Sequence, residues 1–481
     1  MARLSNLLQR DLDADPEISG VTADSRKVRP GFLFVALPGS KSDGRSFIPA
    51  ALDAGAAAVL APDDVSGLAA PVVHASDLRR AYALAARAFY GAQPKTCVAV
   101  TGTNGKTSVA VFCRQIFERL GHSSASMGTL GVQAGREQLT PPGLTTPDAA
   151  DVSRLLADLA GKGVTHLALE ASSHGVDQRR LDGVDMTAAG FTNLTQDHLD
   201  YHGTMGAYRA AKLRLFESLL PRGGVAVLNA DSEAFGAFAS AAVGSGQTVF
   251  SVGEAGQGLK LVDRQLVPEG QRLGLQIDGR RHDVRLPLAG GFQASNALVA
   301  AGLCIGAGEA VEKVLAALEH IEGAPGRLQR VGTGGKGGEA YVDYAHTPDG
   351  LETVLKALRP HARGRLIVVF GAGGDRDRGK RPLMGQAAAT LADVAIVTDD
   401  NPRSEEPASI RAAILAAAPG AKEIGDRREA IRAASAMLQD GDVLVVAGKG
   451  HEQGQTVGST VHPFDDVTET AAALGLESVH G

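Results

Sequence analysis

The sequence predicts an α/β protein of three successive domains, built on parallel-rich sheets covered by helices. Three observations carry that expectation. Short apolar runs such as VAVTG and VLVVAG alternate with alanine-rich stretches such as RRAYALAARAFYG, the pattern of parallel strands joined by helices. Most of these runs end in a glycine-rich or charged loop, and open parallel sheets hold their ligands at the carboxyl ends of their strands. The chain has 481 residues, which corresponds to about three domains of ordinary size.

Composition narrows the class. Hydrophobic residues make up 44% and charged residues 21% of the chain, an ordinary globular balance. The net charge of -6 argues against a nucleic-acid binder, which needs a basic footprint. Cys97, Cys113 and Cys304 are scattered, with no CxxC pair and no metal-ligand spacing, so a reducing compartment is expected. The opening MARLSNLLQRDLDADPE has no apolar core of a signal peptide, and no uncharged run reaches membrane-spanning length. The expectation is a cytoplasmic monomer without membrane insertion.

The elements then follow in order. Residues 1–93 contain SRKVRPGFLFVALPGSKSDGR, with strand-like and turn-like pieces, and end in an amphipathic helix around residues 78–90. Residues 94–324 open on the strand TCVAVTG and continue through THLALEASSH, AAGFTNLTQDH and GVAVLNADSE. Residues 325–481 begin at the Pro325-Gly326 break and hold YVDYAHTPD, RLIVVFGAGGDRD, VAIVTDDNPR and VLVVAGKGHE.

VAVTGTNGKTSVAVFCRQIFERLG reads as strand, glycine loop and helix. Backbone N–H groups of such a loop and the helix N-terminus cradle phosphates. Lys106 would reach the outer phosphates and Thr107 would ligate Mg²⁺. Val100 stands where the GxxxxGK[ST] pattern has its first glycine, so the bland alternative is a glycine turn with a chance Gly-Lys-Thr. Glu170 ends an apolar strand, as Mg²⁺ ligands often do. His198 follows another strand, where a lone histidine is more often a hydrogen-bonded core residue than a ligand. Lys212 shares a helical stripe with Tyr208, Leu215, Phe216 and Leu219, so it faces inward. An inward lysine must be paired, neutralised or modified. Beside Mg²⁺ it would have to become an anion, and a carbamate formed with CO₂ meets that need.

TGTNGKTS, EASSHGVDQRR, NLTQDHLDYHGTM, YRAAKLRLF, VDYAHTPD, FGAGGDRDRGKRPLMG, DNPRSEEP and GKGHE occur in that order over nearly the whole chain. Together they resemble the Mur ligases of peptidoglycan synthesis, and among them the branch that adds diaminopimelate. The resemblance implies an N-terminal UDP-binding domain, a central P-loop-type ATPase domain and a C-terminal Rossmann-like domain. It implies an ATP- and Mg²⁺-dependent ligase joining meso-diaminopimelate to a UDP-muramoyl dipeptide through an acyl-phosphate. Gly102, Thr103, Asn104, Gly105, Lys106, Thr107 and Ser108 would hold the ATP phosphates, with Asn296, Arg327 and Asp343 on the nucleotide's other side. Thr107 and Glu170 would serve one Mg²⁺, and His198 with carbamylated Lys212 a second; Lys106, Glu170, His198 and Lys212 would form the catalytic set. Ser25, Ser40, Lys41 and Ser42 would meet the UDP moiety, and Thr145, Thr146, Ser172, Gln178 and Arg180 the rest of that substrate. Phe292-Gln293 departs from the family's usual Phe-Asn, which leaves the role of position 293 open.

Within VAIVTDDNPRSEEPASI, the segment Asp400-Asn401-Pro402-Arg403 reads first as a turn, with Pro402 setting a bend and Ser404 capping the next helix. The resemblance makes it the diaminopimelate reader. The Arg403 guanidinium suits the carboxylate that lysine lacks. Arg376, Gly448 and Glu452 would complete the pocket. Asp400 and Asn401 would orient the loop or meet the amino groups. The alternatives are a lysine-adding relative, another Mur ligase or a folylpolyglutamate synthase; a different class is a P-loop switch, against which stands the absence of Asn-Lys-x-Asp.

Overall fold

The structure is a computed structural model that describes residues 1–39, 43–135, 137–267 and 270–476. The chain packs as two compact units. The first comprises Met1–Leu261, Gln276–Arg280 and Leu298–Ala317; the second comprises Val262–Leu275, Arg281–Ala297 and the chain from Leu318 onward. Both are mixed α/β, as the alternating pattern predicts.

The first unit begins with a small parallel sheet of β1 (Gly20–Thr22), β2 (Phe32–Val35), β3 (Ala58–Ala61) and β4 (Val72–His74), in that order. The amphipathic helix Leu78–Tyr90 buries Leu78, Tyr82, Ala83, Ala85 and Ala86, over the 78–90 span expected from its period. Asp77 caps it by accepting from the Arg80 amide. The larger sheet of this unit contains β5 (Thr96–Thr101), β6 (Ser124–Gly128), β7 (Gly131–Ala134), β8 (Glu137–Thr140), β9 (His166–Glu170), β10 (Ala188–Phe191), β11 (Val225–Asn229) and β12 (Thr248–Gly253), in the order β8-β7-β6-β9-β5-β10-β11-β12. From β6 to β12 the neighbours are parallel. The β6-β7 and β7-β8 pairs at one edge are antiparallel. The central strands are buried on both faces, which is why TCVAVT and HLALE read as nearly continuous apolar runs. In the register, Glu170 lies opposite Val100, so the end of β9 emerges beside the loop that follows β5.

The second unit carries β13 (Gln329–Thr333), β14 (Glu339–Asp343), β15 (Leu366–Phe370), β16 (Val394–Val397), β17 (Lys422–Glu423) and β18 (Val443–Ala447), ordered β13-β14-β18-β15-β16-β17. All neighbours but β13-β14 are parallel. Chain order skips over β18 between β14 and β15. Such a reversal opens a crevice at the carboxyl ends of the strands. A hairpin of β19 (Gly454–Val457) and β20 (Thr460–Pro463) follows. One expectation changes here. Ser404 does not cap the helix Pro407–Leu415, whose N-cap is Glu406 without a side-chain bond. The Ser404 amide and hydroxyl both donate to Asp375 instead, because the chain runs on past Ser404 before turning into the helix.

Candidate active site

In the first unit, the loop after β5 is held in place by its neighbours. A side chain at Gly102 would put its Cβ 1.9 Å from Thr192 Oγ1, so only glycine lets β10 approach so closely. Gly105 takes φ +87 at the start of the helix Lys106–Arg119, a conformation costly for other residues. The Asn104 amide donates to Asn193 Oδ1, and the Thr103 hydroxyl donates to the Thr195 carbonyl. Lys106 Nζ lies back over the loop, donating to the carbonyls of Gly102 at 2.9 Å and Thr103 at 2.8 Å. Gly102 through Ser108 therefore form a pre-built strand-to-helix cradle.

Glu170 is 3% exposed. Its Oε2 accepts from the Thr107 hydroxyl at 3.1 Å, and its Oε1 accepts from the Thr129 amide at 2.9 Å. Gly128 makes room for it, since a Cβ there would sit 2.1 Å from Glu170 Oε1. A buried carboxylate beside a threonine hydroxyl is a hard oxygen donor pair. That chemistry fits Mg²⁺, which prefers oxygen and keeps several waters.

Lys212 is 1% exposed, as its helical position requires. The helix Met205–Arg214 passes into a π-helical turn at Leu215–Leu219. Lys212 Nζ donates to the Gly102 carbonyl at 2.7 Å and lies 4.5 Å from the Tyr208 ring centre. Burial, followed by the nearby Lys106 charge, holds its pKa well below the usual lysine value. The neutral amine is the form that attacks CO₂, so Lys212 is held in the form that this reaction needs. His198 borders this core, its ring centre 6.1 Å from that of Tyr208. It sits at φ +52 and packs against His174, with ring centres 4.9 Å apart.

A second hydrogen-bonded group surrounds the other side of Glu170. Thr146 Oγ1 donates to the Glu170 carbonyl at 3.0 Å and lies 2.9 Å from Ser172 Oγ. Thr145 Oγ1 meets Thr129 Oγ1 at 2.9 Å. Arg180 donates to the Thr146 carbonyl and to Gln178 Oε1. Four of the five residues expected to hold one substrate are thus linked directly, and Thr145 joins them through Thr129 and Glu170. Ser25 lies elsewhere in the unit, in a cleft of about 1010 Å³ lined also by Thr22, Lys27, Phe47 and Tyr82. Ser40, Lys41 and Ser42 lie outside the described residues.

In the second unit, Asp343 ends β14 with both carboxylate oxygens engaged. Oδ2 accepts from the Leu328 amide at 2.6 Å and Oδ1 from the Ala345 amide at 2.7 Å. Burial nevertheless raises its pKa to about 6, against the opposing Arg327 charge. The Arg327 guanidinium stacks over Tyr344 at 4.6 Å. Gln293, left open by the sequence, is fully buried. It accepts from Asn296 Nδ2 at 3.1 Å and donates to the Arg327 carbonyl at 3.0 Å. It therefore joins two residues that the sequence named separately.

The carboxyl ends of β14, β15, β16 and β18 converge on a pocket of about 510 Å³. Arg376, Lys380 and Arg403 line it, and so do Asp377, Asp400 and Glu452. This balance of cations and anions suits a zwitterion. Arg403 takes φ +52, strained for a non-glycine residue. Its amide donates to the Thr456 carbonyl, and its own carbonyl accepts from the Gly458 amide. The guanidinium donates to the Gly374 carbonyl at 2.8 Å. Pro402 bonds its carbonyl to the Glu405 amide, so the bend is real and it aims Arg403. Asp400 accepts from the Asn401 amide through Oδ1, while Oδ2 is buried with no hydrogen-bond partner. Gly448, at φ +125, leaves space for that oxygen, because a Cβ would approach it to 2.5 Å.

Asn401 has a different job. Its Oδ1 accepts from Lys449 Nζ at 3.0 Å and from the Thr456 amide at 2.9 Å, while its Nδ2 donates to Glu452 Oε2 at 2.8 Å. Both residues line the pocket, but the Asn401 side chain is occupied on both ends, whereas Asp400 keeps one oxygen without a hydrogen-bond partner. Lys449, fully buried within GKGHE, is a residue the sequence reasoning missed. Its signal was a lysine set between glycines at a strand end.

Comparison with known proteins gives a consistent result. Three family descriptions match: Mur ligase family, catalytic domain, over residues 17–90; Mur ligase middle domain over 100–304; and Mur ligase, glutamate ligase domain, over 326–450. The UDP-N-acetylmuramoyl-L-alanyl-D-glutamate–2,6-diaminopimelate ligase of Caulobacter vibrioides is 72% identical over 478 residues, 98% of each chain. The protein of the same name from Bradyrhizobium diazoefficiens is 54% identical, covering 98% of this chain and 99% of that one. A solved structure with that name matches with a TM-score of 0.76 at 35% identity, over 98% of this chain and 99% of that one. A folylpolyglutamate synthase of Mycobacterium tuberculosis matches with a TM-score of 0.63 at 19% identity, over 83% of this chain and 95% of that one, a likeness of fold alone.

Proposed function

The chain belongs to the Mur ligase family, and from that premise we propose that it joins meso-2,6-diaminopimelate to UDP-N-acetylmuramoyl-L-alanyl-D-glutamate with hydrolysis of ATP to ADP, in cytoplasmic synthesis of peptidoglycan precursors. One observation in the molecule itself carries the choice of amino acid. The charge-balanced pocket of the second unit pairs Arg376 and Arg403 with Asp400, whose Oδ2 has no partner of its own. Diaminopimelate offers a carboxylate and an ammonium at each end; lysine lacks the distal carboxylate.

The chemistry proceeds in two steps. The γ-carboxylate of the D-glutamate attacks the γ-phosphoryl group, giving ADP and an acyl-phosphate. The amine of diaminopimelate then attacks the acyl carbon, phosphate departs, and the nitrogen gives up a proton to leave an amide. The loop amides of 102–108 and Lys106 bear the charge spread over the transferring group. Bound Mg²⁺ would supply electrostatic stabilisation of that group, with Thr107 and Glu170 as its donors and His198 and carbamylated Lys212 as donors for a second ion. Carbamylation joins Lys212 Nζ to CO₂ with loss of one proton, and the buried, uncharged amine favours it. Asn296, Gln293 and Arg327 position the nucleoside. Ser25 lines the cleft for the uridine diphosphate, and Thr145, Thr146, Ser172, Gln178 and Arg180 hold the muramoyl dipeptide. Holding the reactants in line contributes about 7–11 kcal/mol relative to a bimolecular encounter.

The test is phosphate release from ATP in the presence of the UDP-muramoyl dipeptide, with meso-diaminopimelate or L-lysine as the amine. Release with diaminopimelate and little with lysine is expected. Equal release with both would overturn the assignment of the second unit's pocket.

A further inference from the structure

Strand β9 ends at Glu170 beside the glycine loop and begins at His166, about 13 Å away along an extended strand. His166 is 8% exposed and stacks on His122, with ring centres 3.9 Å apart and planes at 28°. Both imidazoles turn Nε2 toward one oxygen. Glu309 Oε1 lies 2.8 Å from His122 Nε2 and 3.6 Å from His166 Nε2. The Phe117 ring closes one side of the cluster, 4.7 Å from the His166 ring centre. The three polar residues come from separate segments of the first unit: the turn after the helix Lys106–Arg119, the start of β9, and the turn before the helix Val311–Leu318.

The hydrogen bonds fix the tautomer of His166. Thr165 Oγ1 donates its one proton to the Ser123 carbonyl at 3.1 Å. In its 2.9 Å contact with His166 Nδ1 it must therefore accept, which places the ring proton on Nδ1. Nε2 then carries a lone pair 3.6 Å from a carboxylate oxygen. At 3.6 Å the two are beyond hydrogen-bond reach, and two electron-rich atoms facing each other in a largely buried place call for a cation between them. An imidazole whose Nδ1–H is anchored in this way is the arrangement that presents Nε2 to a metal.

We infer that His122, His166 and Glu309 form a binding site for a divalent transition metal of the Zn²⁺ class, separate from the phosphate-loop pocket, that ties these three segments together. Two imidazoles and a carboxylate suit Zn²⁺ rather than Mg²⁺. The three donor atoms lie within 4.8 Å of one another. Bonds of about 2.0–2.1 Å in a tetrahedron bring such donors to roughly 3.3 Å. Side-chain rotation of His122 and Glu309, both partly exposed, closes that gap. On binding, His122 gives up its Nε2 proton, and water completes the shell.

The test is equilibrium dialysis of the tag-free full-length chain against Zn²⁺ with Mg²⁺ in excess. His174, His198 and His202 form another group of rings, so the variants must locate the ion. The wild type is expected to bind Zn²⁺ at this site, and His122→Asn and Glu309→Gln are expected to lose that equivalent. Thr165→Val removes the acceptor for Nδ1–H and should weaken binding by about 10–100-fold, while lowering the Tm of the metal-free chain by no more than the few degrees that two lost hydrogen bonds cost. All three variants should keep Mg²⁺-supported phosphate release. Zn²⁺ binding that is absent from the wild type, or unchanged in these variants, overturns the site.

Discussion

Under the proposed function, the first unit would present a phosphate mainly with backbone groups that side chains hold in place; the second unit would read its ligand with the side chains themselves. Lys106 and Lys212 both donate to the Gly102 carbonyl, so both brace the loop. Arg376, Arg403 and Asp400 instead converge on open volume, and the backbone around them is bent to aim them. The difference follows from the ligands. A phosphate is the same in every nucleotide, so a fixed cradle serves it. An amino acid must be told from its analogues, which takes polar groups that are left unpaired when the wrong one enters.

The sharpest way to break this contrast is at Lys212. Lys212→Ala is expected to lower kcat by about 10²–10³-fold or more, the scale for losing one preorganised electrostatic contact to the reacting group. Added short carboxylates should restore part of it, and an alanine variant with full activity would falsify the carbamate role. Next comes Arg403→Ala, expected to raise the KM for diaminopimelate by about 10²-fold, within the cost of truncating one partner of a buried charge pair, while the KM for ATP stays within about twofold. Equal effects on both would show that the turn only supports the fold.

A third measurement concerns pH. The Asp343 pKa is raised by burial to about 6 from 3.8, so the folded chain binds more protons than the unfolded chain between those values. Stability therefore falls as pH rises through that window and is level above it, by about 3 kcal/mol for roughly two pH units. The difference in denaturant-unfolding free energy between wild type and Asp343→Asn should shift by about 2 kcal/mol of that, against the wild type, between roughly pH 4 and 6.5. A pH-independent difference would mean the carboxylate is not held this way. The smallest effect is at Gln293. Gln293→Ala removes two buried hydrogen bonds, worth about 0.5–1.5 kcal/mol each, and should raise the KM for ATP by about tenfold without changing that for diaminopimelate.

Much of this was legible in the chain. Strand ends were visible because a buried parallel strand is an unbroken apolar run, and its first polar residue marks the ligand edge; Glu170 and Asp343 both stand there. Lys212 was legible because helical period alone places it among Tyr208, Leu215 and Phe216. Ser404 was misread because capping is a local rule, and its partner Asp375 lies on another strand's loop. Asn401 and Asp400 looked equivalent because only the fold brings Lys449, Glu452 and Thr456 to one of them. His122, His166 and Glu309 gave no signal, since three distant segments share no spacing.

Arg403 holds a left-handed backbone conformation, anchored on either side by the hairpin residues Thr456 and Gly458. Under the proposed function, amino-acid choice and loop shape therefore form one heritable unit. A mutational walk toward another amine passes through variants in which the bend outlives its purpose, or the guanidinium points nowhere. Transplanting specificity between relatives then calls for exchanging the turn and its hairpin together rather than residue by residue.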